Sequence, residues 1–277
     1  MTFSSEVLEI ETDGPIATLW LNRPDKRNAL GRDFWTDLPN AAEALSLDPA
    51  LRVVVLAARG PHFSVGLDLK EMGGSLGSTG STKPTSRSAS NYASYQQIRK
   101  MQDAITSLEL LAIPVIAAIH GYCIGGGVDL VCACDIRLAS ADTIFSVREA
   151  KVAIVADMGT LQRLPKIIGQ GHVNELALTA KDIPAKRAAK IGLVNHVAGD
   201  NFEDVLEAAY EMAHEIAANS PIAVQGTKAV LRANDGATLN EGLNFVAHWN
   251  AAYIQSNDLV EAMTAFVERR PADFKGD

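Results

Sequence analysis

Long apolar runs are missing from this sequence of 277 residues; the longest, such as 113 to 119, are too short to cross a bilayer. Cysteine is scarce. Cys123, Cys132 and Cys134 cannot all pair with one another, and they lack metal-site spacing, so they read as reduced core residues. Basic excess is also absent: 25 Lys and Arg stand against 33 Asp and Glu, giving a formal charge of −8. That balance argues against a nucleic-acid-binding surface, while a local basic cluster could still hold an anionic small ligand. Acids come early in "MTFSSEVLEIETDG", without arginine, unlike a signal or transit peptide, and "DFKGD" is not a peroxisomal address. The expected compartment is the cytoplasm.

What is present suits a soluble globular chain. Hydrophobic residues make up 47% and charged residues 21%, enough for a sizeable core in one large domain, with or without a small appendage. Residues 7 to 12 and 16 to 21 alternate around "DGP", which reads as a hairpin. "ALGRDFWTDLPNAAEAL" has helical spacing, with Pro39 a candidate break or kink. "RVVVLAA" (52 to 58) and "PVIAAIH" (114 to 120) are short and continuously apolar, as in strands buried on both faces. The Gly-, Ser- and Thr-rich stretch 73 to 91 reads as a loop able to shape a binding pocket. A helix is expected from about 92 to 111. "IRLAS" and "TIFSV" read as strands, and "TLQRLPKIIG" and "GHVNELALTA" as helices. Beyond about 202 the chain is mainly helical, over 203 to 218, 222 to 233 and, interrupted, 238 to 269. No repeat of fixed period is visible. Strands alternating with helices, then a helical tail, define an α/β class.

Two glycine turns follow buried strands: "GPHFSVGLDLKEM" (60 to 72) and "HGYCIGGGVDL" (120 to 130). Each can present backbone N–H groups unobstructed by side chains, and the second opens a helix, whose N-terminus carries free donors and partial positive charge. Neither has phosphate-loop or dinucleotide spacing. Two such donors converging on one carbonyl oxygen would stabilise an enolate, each contributing roughly 3 to 4 kcal/mol. Three acids lie nearby in mixed or apolar company: Asp129 after the second turn, Glu149 in "SVREA" and Asp157 in "IVADMGT". An unpaired carboxyl in apolar surroundings has a raised pKa, by up to roughly 3 to 5 units when fully buried, and can then donate a proton near neutral pH. Asp135 reads as a structural cap or pair, and His62 and His120 as loop and packing residues.

"KRNAL" (26 to 30), "FSVGLDLKEM" (63 to 72), "AAIHGYCIGGGVDLVCACDIRLAS" (117 to 140) and "GTLQRLPKIIG" (159 to 169), in that order, resemble the enoyl-CoA hydratase/isomerase, or crotonase, superfamily. The resemblance runs from about 7 to 274. It implies a spiral of ββα units over 1–200, holding the CoA and active sites, and a C-terminal helical region over 201–277 for trimerisation and pocket cover. It also implies a CoA thioester ligand and a homotrimer or homohexamer. The implied oxyanion hole maps onto the N–H groups of Val65 and Gly126.

"GGGVDLV", "VREAKVAIVADMGTLQRLPK" and "SPIAVQGTK" (220 to 228) look like the Δ3,5-Δ2,4-dienoyl-CoA isomerase branch, which has Asp, Glu and Asp at the positions of Asp129, Glu149 and Asp157. Hydratases of the superfamily carry Glu at the first two positions and do not call for the third. The branch implies conversion of 3,5-dienoyl-CoA to 2,4-dienoyl-CoA in unsaturated fatty acid degradation, with Glu149 as base at C2, Asp157 as acid at C6 and Asp129 tuning both. The alternative is an enoyl-CoA hydratase. No metal, redox cofactor, membrane or nucleic acid is expected, since the thioester carbonyl is itself the electron sink. The resemblance further implies CoA contacts from Arg27 and Lys70, with the backbone around Ser64 to Asp68 holding the adenine, and Phe266 and Arg269 covering the nucleotide of a neighbouring subunit.

Overall fold

The computed structural model describes residues 3–72 and 86–277. Most of the loop expected at 73 to 91, and with it any part in shaping a pocket, lies outside the described residues. Of the rest, Ser86 caps a helix and residues 87 to 91 already belong to it.

The hairpin forms as expected. β1 (Leu8–Asp13) pairs antiparallel with β2 (Ile16–Leu21). β2 continues in parallel into β3 (Val53–Ala58), then β4 (Val115–Ile119), β6 (Ile136–Ala139) and β9 (His196–Val197), giving a six-stranded sheet. A second, smaller sheet holds β5 (Tyr122–Ile124), β7 (Ile144–Ser146) and β8 (Ile183–Pro184). Strand pairs β4–β5 and β6–β7 each step from the large sheet to the small one. The chain after β3 makes the same step through the bridge Ser64↔Cys123, and the chain after β2 through Leu30↔Leu67. Helices α1 (Phe34–Ser46) and α3 (Gly126–Cys132) close two of these turns. The result is a spiral of ββα units. Its repeat is one of backbone path, with unequal connections, which is why no sequence period betrays it.

Alternation along β3 explains how both faces of the large sheet are covered. Val54, Leu56 and Ala58 face one hydrophobic core with α1, α2 (Arg87–Glu109) and α3. Val53, Val55 and Ala57 face the other, against Val205, Ala209, Ala213 and Ala217 of α7 (Phe202–Ala217). Those four positions recur every fourth residue, one stripe of a helix. Each large apolar side chain so buried contributes roughly 1.5 to 3 kcal/mol. Hence α7 belongs to the core, and the expected boundary at 200/201 separates it from the sheet it covers. α1 runs through Pro39 without interruption. One short helix and two short strands were not anticipated: α6 (Ala185–Lys190), β8 and β9. α4 (Thr160–Ile168) and α5 (Gln170–Thr179) form as expected.

Outside the core lie α8 (Pro221–Ala233), α9 (Leu239–Tyr253) and α10 (Asn257–Glu268). α8 is tied inward by Lys228, whose Nζ donates to Asp135 at 2.7 Å and to the Ile113 carbonyl at 3.0 Å. Asp135 also accepts from Val115 N–H at 2.8 Å, at the start of β4, so its structural reading holds. The three cysteines are free and buried, and burial pushes the Cys132 and Cys134 thiols up to about 12. Among the described residues no helix is long and apolar enough to cross a membrane.

Lys228→Ala strands the Asp135 carboxylate beside a strand end and should lower the unfolding free energy in urea by about 2 to 3 kcal/mol. Lys228→Arg, which restores a donor, should recover part of that loss in the same titration.

Candidate active site

The two glycine turns meet face to face. In the first, the segment from Ser64 to Asp68 bends at Gly66, φ +86°, and sends its N–H groups to several different neighbours. Ser64 N–H goes to Tyr122 O, Val65 N–H to Arg27 O at 3.2 Å, and Asp68 N–H to Leu30 O. Gly66 N–H reaches the Ser64 hydroxyl at 3.2 Å. Leu67 N–H has no acceptor among the described residues. In the second turn Gly126 is the first residue of α3, so its N–H is one of the donors a helix leaves free. The turns touch closely enough that a Cβ on Gly66 would lie 2.8 Å from Ile124 O and 3.3 Å from Gly126 N, and one on Gly126 would lie 3.8 Å from Leu67 N. The expected donor Val65 is therefore corrected: its N–H is already engaged, and the unengaged pair across the seam is Leu67 and Gly126.

Beside that seam is a cavity of about 170 Å³, lined by Leu67 and Gly126 and by all three expected acids, Asp129, Glu149 and Asp157. Trp35, Ile154 and Met158 supply apolar wall. Asp129 is buried on α3, 1% exposed, and its Oδ1 accepts the Thr160 N–H at 2.6 Å. It thus caps α4, whose own N-cap, Gly159, has no side chain to do so. Glu149 opens a short 3₁₀ turn (Glu149–Val152). Its Oε1 lies 3.2 Å from where a Cβ on Gly125 would be, and its buried Oε2 has no hydrogen-bond partner. Gly125, at φ +53°, combines a left-handed backbone with this close approach, which no other residue does without strain. Asp157 sits in the irregular segment before α4 and is half-buried.

Electrostatics follow from this enclosure. Burial, then repulsion from Asp129 and Asp157, raises the Glu149 carboxyl to about 7. Burial raises Asp129 to about 6 against the opposing Thr160 hydrogen bond, and burial raises Asp157 as well. The group can therefore exchange protons near neutral pH, which isolated carboxylates cannot.

The expected CoA contacts divide. Ser64 is fully buried, and its hydroxyl donates to Asn28 O and accepts from Gly66, so its side chain is spoken for. Asp68 accepts from the N–H groups of Lys70 and Glu71 and pairs with Arg23 at 3.5 Å, the work of a helix cap. Their backbone N–H groups are engaged too, on Tyr122 O and Leu30 O. Arg27 and Lys70 are exposed, as are Phe266 on α10 and Arg269 at its C-cap, and none of the four lines the acid cavity. His120 is buried, with Nε2 on Gly60 O at 2.8 Å, and His62 stacks on Tyr122 at 4.5 Å. Burial, as the first cause, lowers both imidazoles and leaves them neutral, in keeping with packing roles. Trp35 escaped the sequence reading altogether, since an apolar helix face does not announce that it also borders a cavity.

The family described as enoyl-CoA hydratase/isomerase matches residues 11–277. The peroxisomal Delta(3,5)-Delta(2,4)-dienoyl-CoA isomerase of Arabidopsis thaliana is 43% identical over 269 residues, 97% of this chain and 96% of that one. The mitochondrial protein of the same name from Dictyostelium discoideum is 43% identical over 260 residues, 94% and 87% of the two chains. The crystal structure of an enoyl-CoA hydratase from Bacillus anthracis superposes with a TM-score of 0.86 at 30% identity, covering 98% of this chain and 100% of that one.

A carboxyl raised from 4.5 to about 7 by folding binds its proton more tightly in the native state, so its stability contribution is complete below pH 4.5 and lost as pH rises through 7. Glu149→Gln removes the loss. The variant should unfold at higher urea than the parent at pH 8, by about 1 to 2 kcal/mol after allowing for solvent access, and show little difference at pH 4.5.

Proposed function

This chain belongs to the enoyl-CoA hydratase/isomerase family, and on that footing we propose that it is an isomerase moving a 3,5-dienoyl-CoA into 2,4-conjugation. One observation carries the reading: three carboxyl groups with raised pKa and two unengaged amides border a single cavity. The relatives bearing the isomerase name, at 43% identity over most of the chain, support it.

The steps follow from the donors and acceptors available. The thioester carbonyl of the bound acyl-CoA accepts hydrogen bonds from Leu67 and Gly126 N–H, which draws charge onto oxygen and acidifies C2. Glu149, with an unpartnered buried oxygen and a pKa near 7, takes the C2 proton as general base. The electron pair spreads along the chain as a dienolate. Asp157 gives its proton to C6, the 2,4-diene forms and the oxyanion collapses back to carbonyl. Glu149 now holds a proton and Asp157 lacks one, and a transfer between them, directly or through solvent, restores the start. Asp129, anchored on Thr160, contributes its field. It raises Glu149 and so keeps that group poised. No metal or redox group enters any step, since protons alone are moved.

Outside the cavity, exposed Arg27 and Lys70 suit the phosphates of CoA, and exposed Phe266 and Arg269 suit the nucleotide of a neighbouring copy. Leu239, Val260, Met263, Phe266 and Val267 leave large apolar surface on α9 and α10. This supports a homotrimer or a homohexamer, a region larger than scattered apolar residues normally expose. Three free thiols suit a reducing compartment, such as the cytoplasm.

Mixing the protein with a 3,5-dienoyl-CoA should produce the ultraviolet absorbance of a conjugated diene. Glu149→Gln and Asp157→Asn should each lower kcat by roughly 10²- to 10⁴-fold with binding of a CoA thioester retained. Faster water addition to a 2-enoyl-CoA than conjugation of the matched diene would move the assignment to a hydratase, and full activity of either variant would dismiss the acid–base pair.

A further inference from the structure

Asp157 stands on a stretch of backbone that has almost nothing of its own to hold it. Among the described residues, 155 to 158 make no backbone–backbone hydrogen bond. Glu149 differs: it begins a 3₁₀ turn, and its carbonyl accepts from Ile154 N–H at 3.1 Å. The segment carrying Asp157 is held from outside. Gln102 of α2 donates through Nε2 to the carbonyl of Asp157 itself, at 2.6 Å. Arg163 of α4 donates through Nη1 to the next carbonyl, that of Met158, at 3.4 Å.

Both holders are themselves fixed. The Gln102 side-chain oxygen accepts from Arg99 at 2.7 Å, which sets the orientation of the amide. Arg163 forks onto Glu109 at 2.6 and 2.8 Å and reaches the Thr106 hydroxyl at 3.0 Å. Gln102, Thr106 and Glu109 follow one another at spacings of four and three, so one face of α2 grips both ends of the turn. Arg163 is largely enclosed, with 15% of its side chain exposed, and its guanidinium fills the space a side chain on Gly159 would occupy.

From this geometry we infer that Gln102, with Arg163 braced on Glu109, forms a clamp on the Asp157–Met158 backbone that positions Asp157 for protonation at C6 and takes no part in proton removal at C2. The inference rests on the isomerase reading and adds three positioning residues to it, none of which lines the cavity. Turning the peptide after Asp157 swings the carboxyl with it, and misplacement of an acid by about 1 Å can cost on the order of 100-fold. Glu149 is on a separately anchored turn, so the two halves of the reaction should separate when the clamp is cut.

The test measures both halves on the same protein. In deuterated buffer, deuterium entering C2 of a 3,5-dienoyl-CoA reports proton removal, and diene absorbance reports completion. Gln102→Leu, which keeps most of the side-chain bulk and loses the donor, should lower kcat for conjugation roughly 10- to 100-fold, with KM and C2 exchange changed less than about twofold. Gln102→Lys, which restores a donor, should recover much of the lost conjugation. Gln102→Glu, which sets a carboxylate against the Asp157 carbonyl, should repeat the selective loss, and it serves in place of the leucine variant should that one fail to fold. Equal loss of exchange and conjugation in a folded variant would overturn the clamp and leave a general packing role. No loss of either would overturn it too. A parent protein that neither exchanges nor conjugates would sink the isomerase reading instead, a distinct result.

Discussion

Removing carboxylates from water is unfavourable, and this chain does it three times around one small cavity. Asp129, Glu149 and Asp157 are each shifted upward first by burial; the charges of Asp129 and Asp157 raise Glu149 further, and that of Asp157 raises Asp129. The penalty is what makes the site useful, because a carboxyl that ionises near neutral pH can both take and give a proton. It also demands a rigid enclosure. A loose cavity would admit water, the shifts would relax, and three ordinary surface acids would remain.

That enclosure is built by the spiral. Parallel strands of the large sheet deliver their C-terminal ends to one side, the chain then steps into the small sheet, and the steps bring Leu67 and Gly126 across a seam where the glycines 66 and 126 let backbone approach backbone. The same steps carry β5 into α3, where Asp129 sits, and β7 into the turn bearing Glu149. Asp129 then reaches α4 through Thr160. An acid of the site is thereby also a helix cap, so its position depends on the packing of α3 against α4 and on nothing more remote. Asp157 has the weakest local anchorage and the most external support, from α2 and Arg163.

Much of this was visible in the sequence, for definite reasons. Continuous apolar runs such as 53 to 58 announce strands buried on both faces, and the hairpin around Gly14 follows from alternation and a turn dipeptide. Acids inside apolar stretches stand out because composition alone makes them costly. Other features were misplaced. Pro39 looked like a break and lies within an unbroken helix. The side chains of Ser64 and Asp68, whose backbone was the expected ligand contact, are consumed by Asn28, Gly66 and the start of a helix, which no local pattern announces.

The boundary between the two kinds of knowledge runs through residues 65 to 67. Residue order alone dictated that a glycine turn follows each of two buried strands, and that Asp129, Glu149 and Asp157 occur where charge is penalised. Which amide of the turn is left over was decided by tertiary contact, because the chain bends at Gly66 and only the neighbours it meets decide which N–H finds an acceptor. Arg27 O takes Val65, Leu30 O takes Asp68, and Leu67 is what remains. Convergence of acids 20 and 8 residues apart on one cavity was likewise decided by folding, since depth of burial belongs to the packed layers and to no single stretch of chain.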